Sequence, residues 1–415
     1  MTAQSRLIAS PAVAGAASSD TARTASASSR TGPAAAEGPA PCTSSVPFTA
    51  GEGGYDTYRI PAAVRTRDGA LLAFAEGRVG GAGDSGSIDV VSRRSDDGGR
   101  TWGPLGVVAA GDGDTRGNPA PVVDPRTGHV VLLTCYNSGA VSEAQIMRGE
   151  ATAEQSRRVF VQTSSDDGRT FSPPREITDD AKRPGWRWYA TGPGHAVALT
   201  RGPHEGRLVV PANHSAAPPP GSADTGQEAR YYGAHALYSD DGGRSWRIGF
   251  VDGTYDGVVN ANESSAAELP DGRLYLSARD QNGTSAGNRL DACSADGGRT
   301  LERPYAAQHT LDDVPVVQGS VLQTAGAGGP LLFSGPSVPT ARAAMAVFSS
   351  TDGGGTFTRA TTLSELPAAY SDLVQVGART VGLLYETGEA GSYERIEFRR
   401  LPIGALAGGG PAARS

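Results

Sequence analysis

One eight-residue phrase, Ser-x-Asp-x-Gly-x-Thr/Ser closed by an aromatic residue or Leu, recurs five times in the chain. The copies are Ser95-Asp97-Gly99-Thr101-Trp102, Ser164-Asp166-Gly168-Thr170-Phe171, Ser239-Asp241-Gly243-Ser245-Trp246, Ser294-Asp296-Gly298-Thr300-Leu301 and Ser350-Asp352-Gly354-Thr356-Phe357. A spaced internal repeat means that one small structural unit is used again and again. The phrase reads as a hairpin turn: Ser and Asp side chains cap local backbone N–H groups, Gly supplies positive φ, and the large residue anchors the hairpin. Turn chemistry accounts for every position, so calcium sites or catalytic carboxylates are the weaker reading of these five aspartates.

Short alternating strands flank each copy. Around the first they are expected near 58–64, 70–76, 88–94 and 102–109, with a turn at Asp68-Gly69. Further units run from Ala120 to Ile177, from His195 to Val251, from Glu263 past Leu301 and from Gln318 to Phe357. After Phe357 only three strands follow, near 371–376, 380–385 and 393–399. The segment Val46 to Ala50 is expected to supply the missing outer strand. The prediction is an all-β chain: a six-bladed β-propeller of four-stranded antiparallel sheets, closed by an N-terminal strand.

The propeller is expected over residues 46–403, with a flexible tail at 404–415. Residues 1–45 are rich in Ala, Ser, Thr, Gly and Pro and read as disordered. Leu7 to Ala16 ends in Ala14-Gly15-Ala16 and resembles a short signal segment, so a secreted protein is expected. No apolar run is long enough to span a membrane. A net charge of −7 argues against a nucleic-acid binder. Cys42, Cys135 and Cys293 fit neither a metal pattern nor a disulfide framework, and no cofactor or metal is expected.

Antiparallel connectivity sorts the loops into two faces. The repeat phrase follows the third strand of a unit, so all five copies share one face. Functional residues are then expected on the other, at first-strand starts and in loops between second and third strands. Arg59 opens the first strand of unit one. Glu76 and Arg78 end its second strand, and Asp84 lies in the loop Gly80 to Gly86. Glu263 opens unit four and Arg279 ends its second strand; Arg342 precedes the third strand of unit five. Tyr370 opens unit six and Glu386 ends its second strand. Charged residues at strand ends are usually solvated, but topology alone gathers these on one rim.

Tyr58-Arg59-Ile60-Pro61, the five repeats (Asp boxes), Arg279, Arg342, Tyr370 and Leu384-Tyr385-Glu386 together resemble the bacterial and animal exo-sialidase family, over roughly residues 46 to 400. The resemblance implies that Arg59, Arg279 and Arg342 clamp the carboxylate of a sialylated glycan, a task suited to planar guanidinium groups. It implies that Glu386 orients Arg59, Tyr370 is the nucleophile, Glu263 is its base and Asp84 is the acid/base. A phenol suits attack beside an anomeric carboxylate, where a carboxylate nucleophile would meet like-charge repulsion. Arg78 and Glu76 are expected to line the pocket, and Thr191 to His195 to form either its rim or a tight turn. The expected partner is the glycan alone, on a monomer.

Other signals fall away. Gly80 to Gly86 precedes no amphipathic helix, against a phosphate loop. His195, His204, His214 and His235 lack zinc spacing. Glu154 to Arg158 reads as a short exposed helical turn. Three rival functions stay open: a glycosidase using two carboxylates, a non-catalytic carbohydrate-binding propeller, and a transferase moving sialic acid to another sugar.

Overall fold

Each repeat forms the same capped turn in the computed structural model, which describes residues 44–281, 288–326 and 328–407. In the first copy Ser95 Oγ donates to Asp97 Oδ1 at 2.8 Å and accepts from Gly99 N at 2.7 Å. Asp97 also accepts from the backbone of Arg100 and Thr101 and from Thr101 Oγ1. The equivalent glycines have φ between +80° and +93°. They are also needed for space, because each turn docks on the sheet before it. A Cβ on Gly99 would lie 2.1 Å from the Phe398 ring, one on Gly168 2.2 Å from Leu72, and one on Gly354 2.3 Å from Tyr275.

The sheets follow one another in a β-propeller arrangement. An eight-stranded sheet has two halves. The first half holds Thr57–Arg65, Leu71–Arg78, Ile88–Ser95 and Gly106–Ala109. The second holds Thr115–Val123, Val130–Asn137, Arg158–Ser164 and Arg175–Glu176. A single parallel bridge, Ile88 to Thr115, joins them; every other pairing is antiparallel. Next come the sheets of residues 186–251, 261–307 and 320–362. In the last, Ala368–Gly377, Thr380–Thr387 and Arg395–Pro402 are joined by Ser44–Thr49, which pairs antiparallel with Arg395–Pro402. Ser45 Oγ accepts from Trp102 Nε1 at 2.9 Å, which fastens this strand to the first repeat.

The inner strands are buried on both faces, and apolar clusters fill the wedges between the sheets. One joins Val131, Leu133 and Val159 of the second half-sheet to Leu208, Val210, Leu237 and Trp246 of the next. Near the axis Asp372, fully buried, accepts from Ala63 N at 2.8 Å, His195 N at 3.0 Å and Ser320 Oγ at 2.8 Å. His195 Nδ1 lies 2.7 Å from its second oxygen. One carboxylate thus ties together three strands and the turn at His195.

Several local expectations need correction. The third unit begins at Trp186, not His195: its inner strand runs Trp186–Thr191, breaks at a cis Gly192-Pro193 bond and resumes at Val197–Ala198. The first unit's outer strand is only Gly106–Ala109. The turn expected at 154–158 is a single one, closed by Ser156 N donating to Thr152 O at 2.9 Å, and the chain is in a strand again by Arg158. A helix runs over Glu143–Arg148, with a reciprocal capping box between Ser142 and Gln145 and Gly149 at its left-handed end. Residues 404–406, placed in the tail, belong to the helix Ile403–Leu406, because apolar Leu406 packs into the core against Leu383 and Leu401. Ser44 and Ser45 already belong to a strand. Cys135 is buried and Cys293 half-buried, each a free thiol; Cys42 and the signal-like segment lie outside the described residues. No helix among the described residues is long and apolar enough to cross a membrane.

Candidate active site

The Arg59-Ile60-Pro61 motif makes a β-bulge. Register between the first two strands shifts between Arg59 and Ala62, and Ile60 adopts φ +58°, a costly conformation for a β-branched residue. The bulge is held by fully buried Glu386: its Oε1 accepts from Ile60 N at 2.8 Å and from Arg59 Nε at 3.3 Å. Its Oε2 accepts from Tyr370 N at 3.1 Å. Glu386 therefore stands behind the site and locks Arg59 and Tyr370 together.

Arg59, Glu76, Arg78, Asp84, Glu263, Arg279, Arg342 and Tyr370 all line one cavity of about 200 Å³. The Tyr370 hydroxyl donates to Glu263 Oε1 at 2.5 Å, and Arg279 Nη1 lies 3.4 Å from the same hydroxyl and 2.8 Å from Glu263 Oε2. The guanidinium carbons of Arg59 and Arg342 stand 5.1 and 5.7 Å from the centre of the Tyr370 ring. Arg342 is steadied by Tyr393 Oη at 3.1 Å and Val316 O at 3.3 Å. Arg59 Nη2 and Arg279 Nε are buried without a partner among the described residues. Three cations and one phenol from four separate stretches of chain thus converge, with donor capacity left for an anion.

Burial, reinforced by the charge of Glu263, pushes the Tyr370 phenol well above its ordinary value, while Arg279 and Arg59 pull the other way. The resting phenol is therefore neutral, with its proton aimed at Glu263. Asp84 is opposite in character. Burial raises its carboxyl, but Arg78 at 2.7 Å and Arg59 at 3.5 Å outweigh this and hold it below the usual range. Its side chain is 57% exposed, at the mouth of the cavity. The glycine-rich loop reaches this position by curling around Arg78, whose Nη1 also donates to Ala82 O and Gly83 O.

Glu76 does more than line the cavity. Its Oε2 accepts from Arg78 Nε and Nη2, and its Oε1 from Asn118 N at 2.7 Å. Asn118 precedes Pro119 at φ +52° in a second bulge, between Gly117 and Ala120. Glu76 thus serves Asn118 as Glu386 serves Ile60. Thr191 to His195 is absent from the lining residues; it is a tight turn, and His195 faces Asp372. Sequence reading missed Asn118, Glu143, Arg157, Trp188, Asn213 and Tyr232, which also line the cavity. Two signals point to some of them: the Asn-Pro pair that echoes Ile60-Pro61, and the Ser142-x-x-Gln145 capping box that opens the helix carrying Glu143. Burial raises the Glu143 carboxyl, which accepts from the Tyr232 hydroxyl. Among the described residues no cluster of His, Cys, Asp and Glu is arranged to hold a metal ion.

A family model described as a BNR repeat-like domain matches residues 69–384. The exo-alpha-sialidase of Aspergillus fumigatus is 30% identical over 389 residues, an alignment covering 86% of each chain. The chain belongs to the exo-α-sialidase family. The sialidase of Micromonospora viridifaciens is 34% identical over 364 residues, covering 84% of this chain and 52% of that protein, so the chain spans about half the length of that relative. Among solved structures, a Hadza microbial sialidase superposes with a TM-score of 0.74 at 27% identity, over 88% of this chain and 69% of its own. The intramolecular trans-sialidase of Ruminococcus gnavus shares the fold, with a TM-score of 0.71 at 18% identity. Membership of the exo-α-sialidase family agrees with a propeller that carries its charged cavity on the face away from the Asp boxes.

Proposed function

We propose that this protein is an exo-sialidase that hydrolyses terminal α-linked sialic acid from glycoconjugates with retention of configuration. The observation that carries the reading is the convergence of Arg59, Arg279 and Arg342 on the Tyr370–Glu263 pair. The three guanidinium groups take the sugar's anomeric carboxylate, which sets the anomeric carbon over the phenol. Glu263 accepts the Tyr370 proton as the phenolic oxygen bonds to that carbon, and the glycosidic bond breaks. Asp84, held as a carboxylate in the free enzyme by Arg78 and Arg59, takes up a proton before it protonates the leaving oxygen. As a carboxylate again it deprotonates water, which releases the sugar from Tyr370 while Glu263 returns its proton to the phenolate oxygen. Two displacements at one carbon give retention. Glu386, Glu76 and Arg78 hold these groups in place.

The two halves of the eight-stranded sheet count in this reading as separate blades, so the ring has six. The N-terminal strand Ser44–Thr49 closes it as the outer strand of the last. Support comes from the single bridge between the halves and from the first Asp box, which docks on Phe398 of the last sheet.

Aryl α-sialosides and sialyl-lactose test the activity. Wild type is expected to release the α-anomer first by proton NMR, and Tyr370→Phe to lose roughly a thousandfold or more in kcat. First release of the β-anomer, or a Tyr370→Phe enzyme close to wild type, overturns the mechanism and favours a glycosidase built on two carboxylates.

A further inference from the structure

The loop that carries Asp84 has little of its own to hold it. Residues 79–87 form no regular structure, and Val79 N donating to Ser87 O at 3.0 Å closes the loop at its base. Gly81 and Gly86 sit at φ +118° and +140°, and a Cβ on either would meet nothing within 4 Å, so neither glycine is there to make room for a neighbour. Glycine loses more conformational freedom on ordering than any other residue, so a fixed Asp84 needs outside tethers. Arg78 supplies one, but its Nη1 serves Ala82 O, Gly83 O and Asp84 Oδ1 with only two hydrogens. Its grip on Asp84 is also charge-assisted, and weakens once Asp84 takes up the proton it is to donate.

A second tether does not depend on that charge. Thr115, 2% exposed, opens the inner strand of the second half-sheet, at the bridge to Ile88. Its Oγ1 accepts from Gly86 N at 3.1 Å and donates to Gly86 O at 3.0 Å, and Gly86 is next but one to Asp84. A Cβ on Gly139 would come within 3.1 Å of the Gly86 carbonyl, so backbone packed on backbone limits Gly86 as well. At its other end the loop is tied by Gly80 N to the exposed Asp56 carboxylate at 2.7 Å, farther along the chain from Asp84. Thr115 borders the cavity, yet its proton and a lone pair are both committed to Gly86, so it acts on the reaction through the loop. A general acid works only within hydrogen-bond reach of the atom it protonates, and a misplacement of about 1 Å can cost roughly a hundredfold in rate.

We propose that Thr115 is a positioning residue for the acid/base Asp84, fixing the C-terminal end of its loop so that the acid reaches the leaving oxygen. This rests on the sialidase reading of the same cavity and deepens it. Thr115→Val keeps the shape and removes both bonds to Gly86, whereas Thr115→Ser keeps the hydroxyl. Because kcat/KM covers the steps up to departure of the leaving group, the test compares two leaving groups. The sugar alcohol of sialyl-lactose must be protonated to leave; the phenolate of a 4-nitrophenyl α-sialoside leaves unaided. Thr115→Val is expected to lose roughly tenfold or more in kcat/KM on sialyl-lactose beyond whatever it loses on the aryl sialoside, and Thr115→Ser to recover most of that difference. Equal losses on the two substrates, the mark of a residue that only supports the fold, overturn the inference, as does no loss on either. Thr115→Ala carries the same prediction where Val is not accommodated. Should wild type cleave neither sugar, the hydrolase reading fails by itself, and hydrogen exchange of the peptide spanning residues 79–87 then tests the tether. Faster exchange in Thr115→Val than in wild type and Thr115→Ser upholds the positioning of the loop, and unchanged exchange overturns it.

Discussion

Glu386 is fully buried, and both of its oxygens are committed, one to Arg59 and the Ile60 amide, the other to the Tyr370 amide. A residue that touches no substrate in this account therefore sets the distance between the clamp and the nucleophile. Glu386→Gln keeps the shape but puts an amide NH₂ where an acceptor is required. A hydrogen bond to a charged group contributes about 1.5–3 kcal/mol. The variant is accordingly expected to lose roughly 10- to 100-fold in kcat/KM on a cleaved sialoside, measured by steady-state kinetics, while remaining folded by circular dichroism. At this scale the sequence was legible where a residue's chemistry was unusual for its place: Arg59, Arg279, Arg342, Tyr370 and Glu263 meet in one cavity. It was silent on Asn213 and Arg157. A polar residue in a strand, or an arginine in an arginine-rich chain, looks the same whether it faces solvent or a cavity.

At the scale of elements, two devices repeat. The Asp boxes cap hairpins and seat each sheet on the one before it. The X-Pro bulges at Ile60-Pro61 and Asn118-Pro119 aim inner-strand residues into the cavity, each with its N–H taken by a glutamate on a neighbouring strand. The box was readable because its side chains act locally. The second bulge was passed over: its Asn118-Pro119 pair stood in view, but nothing local ties it to Glu76, 42 residues away. Asp166 and Asp241 are held down to about 2, chiefly by bonds from Thr170 and from Ser245 that outweigh the opposing effect of burial. An unfolded aspartate titrates near 3.9. These carboxylates therefore contribute stability that is complete above pH about 4 and is lost as pH falls toward 2. Asp166→Ala is expected to cost about 1 kcal/mol at pH 7, the scale of a lost cap, and nearly nothing at pH 2. Urea unfolding at the two pH values measures this; equal losses at both would mean that the box acts by packing alone.

For the whole molecule, the N-terminal strand matters most. Ser44–Thr49 covers the edge of Arg395–Pro402, buries Phe48 and bonds through Ser45 to Trp102 and the first Asp box. Truncation through residue 49 is expected to lower Tm by at least about 5 °C relative to truncation through residue 40. It is also expected to promote association through the bared strand edge; calorimetry and light scattering check both. The ring arrangement was legible because the repeat spacing carries it. The third sheet was misplaced by nine residues, from Trp186 to His195, because the Gly192-Pro193-Gly194 break hides one inner strand as two fragments. The short helix at Glu143–Arg148 was overlooked because six residues give too little apolar periodicity to see.

The central claim is that the phenol of Tyr370 becomes covalently attached to the sugar. A sialosyl fluoride with a second fluorine at C3 slows breakdown of such an intermediate, because the electron-poor ring resists the second displacement. Peptide mass spectrometry of the trapped protein is expected to place a single sialosyl adduct on Tyr370. An adduct on Glu263 or Asp84, or none while turnover is blocked, would contradict the account.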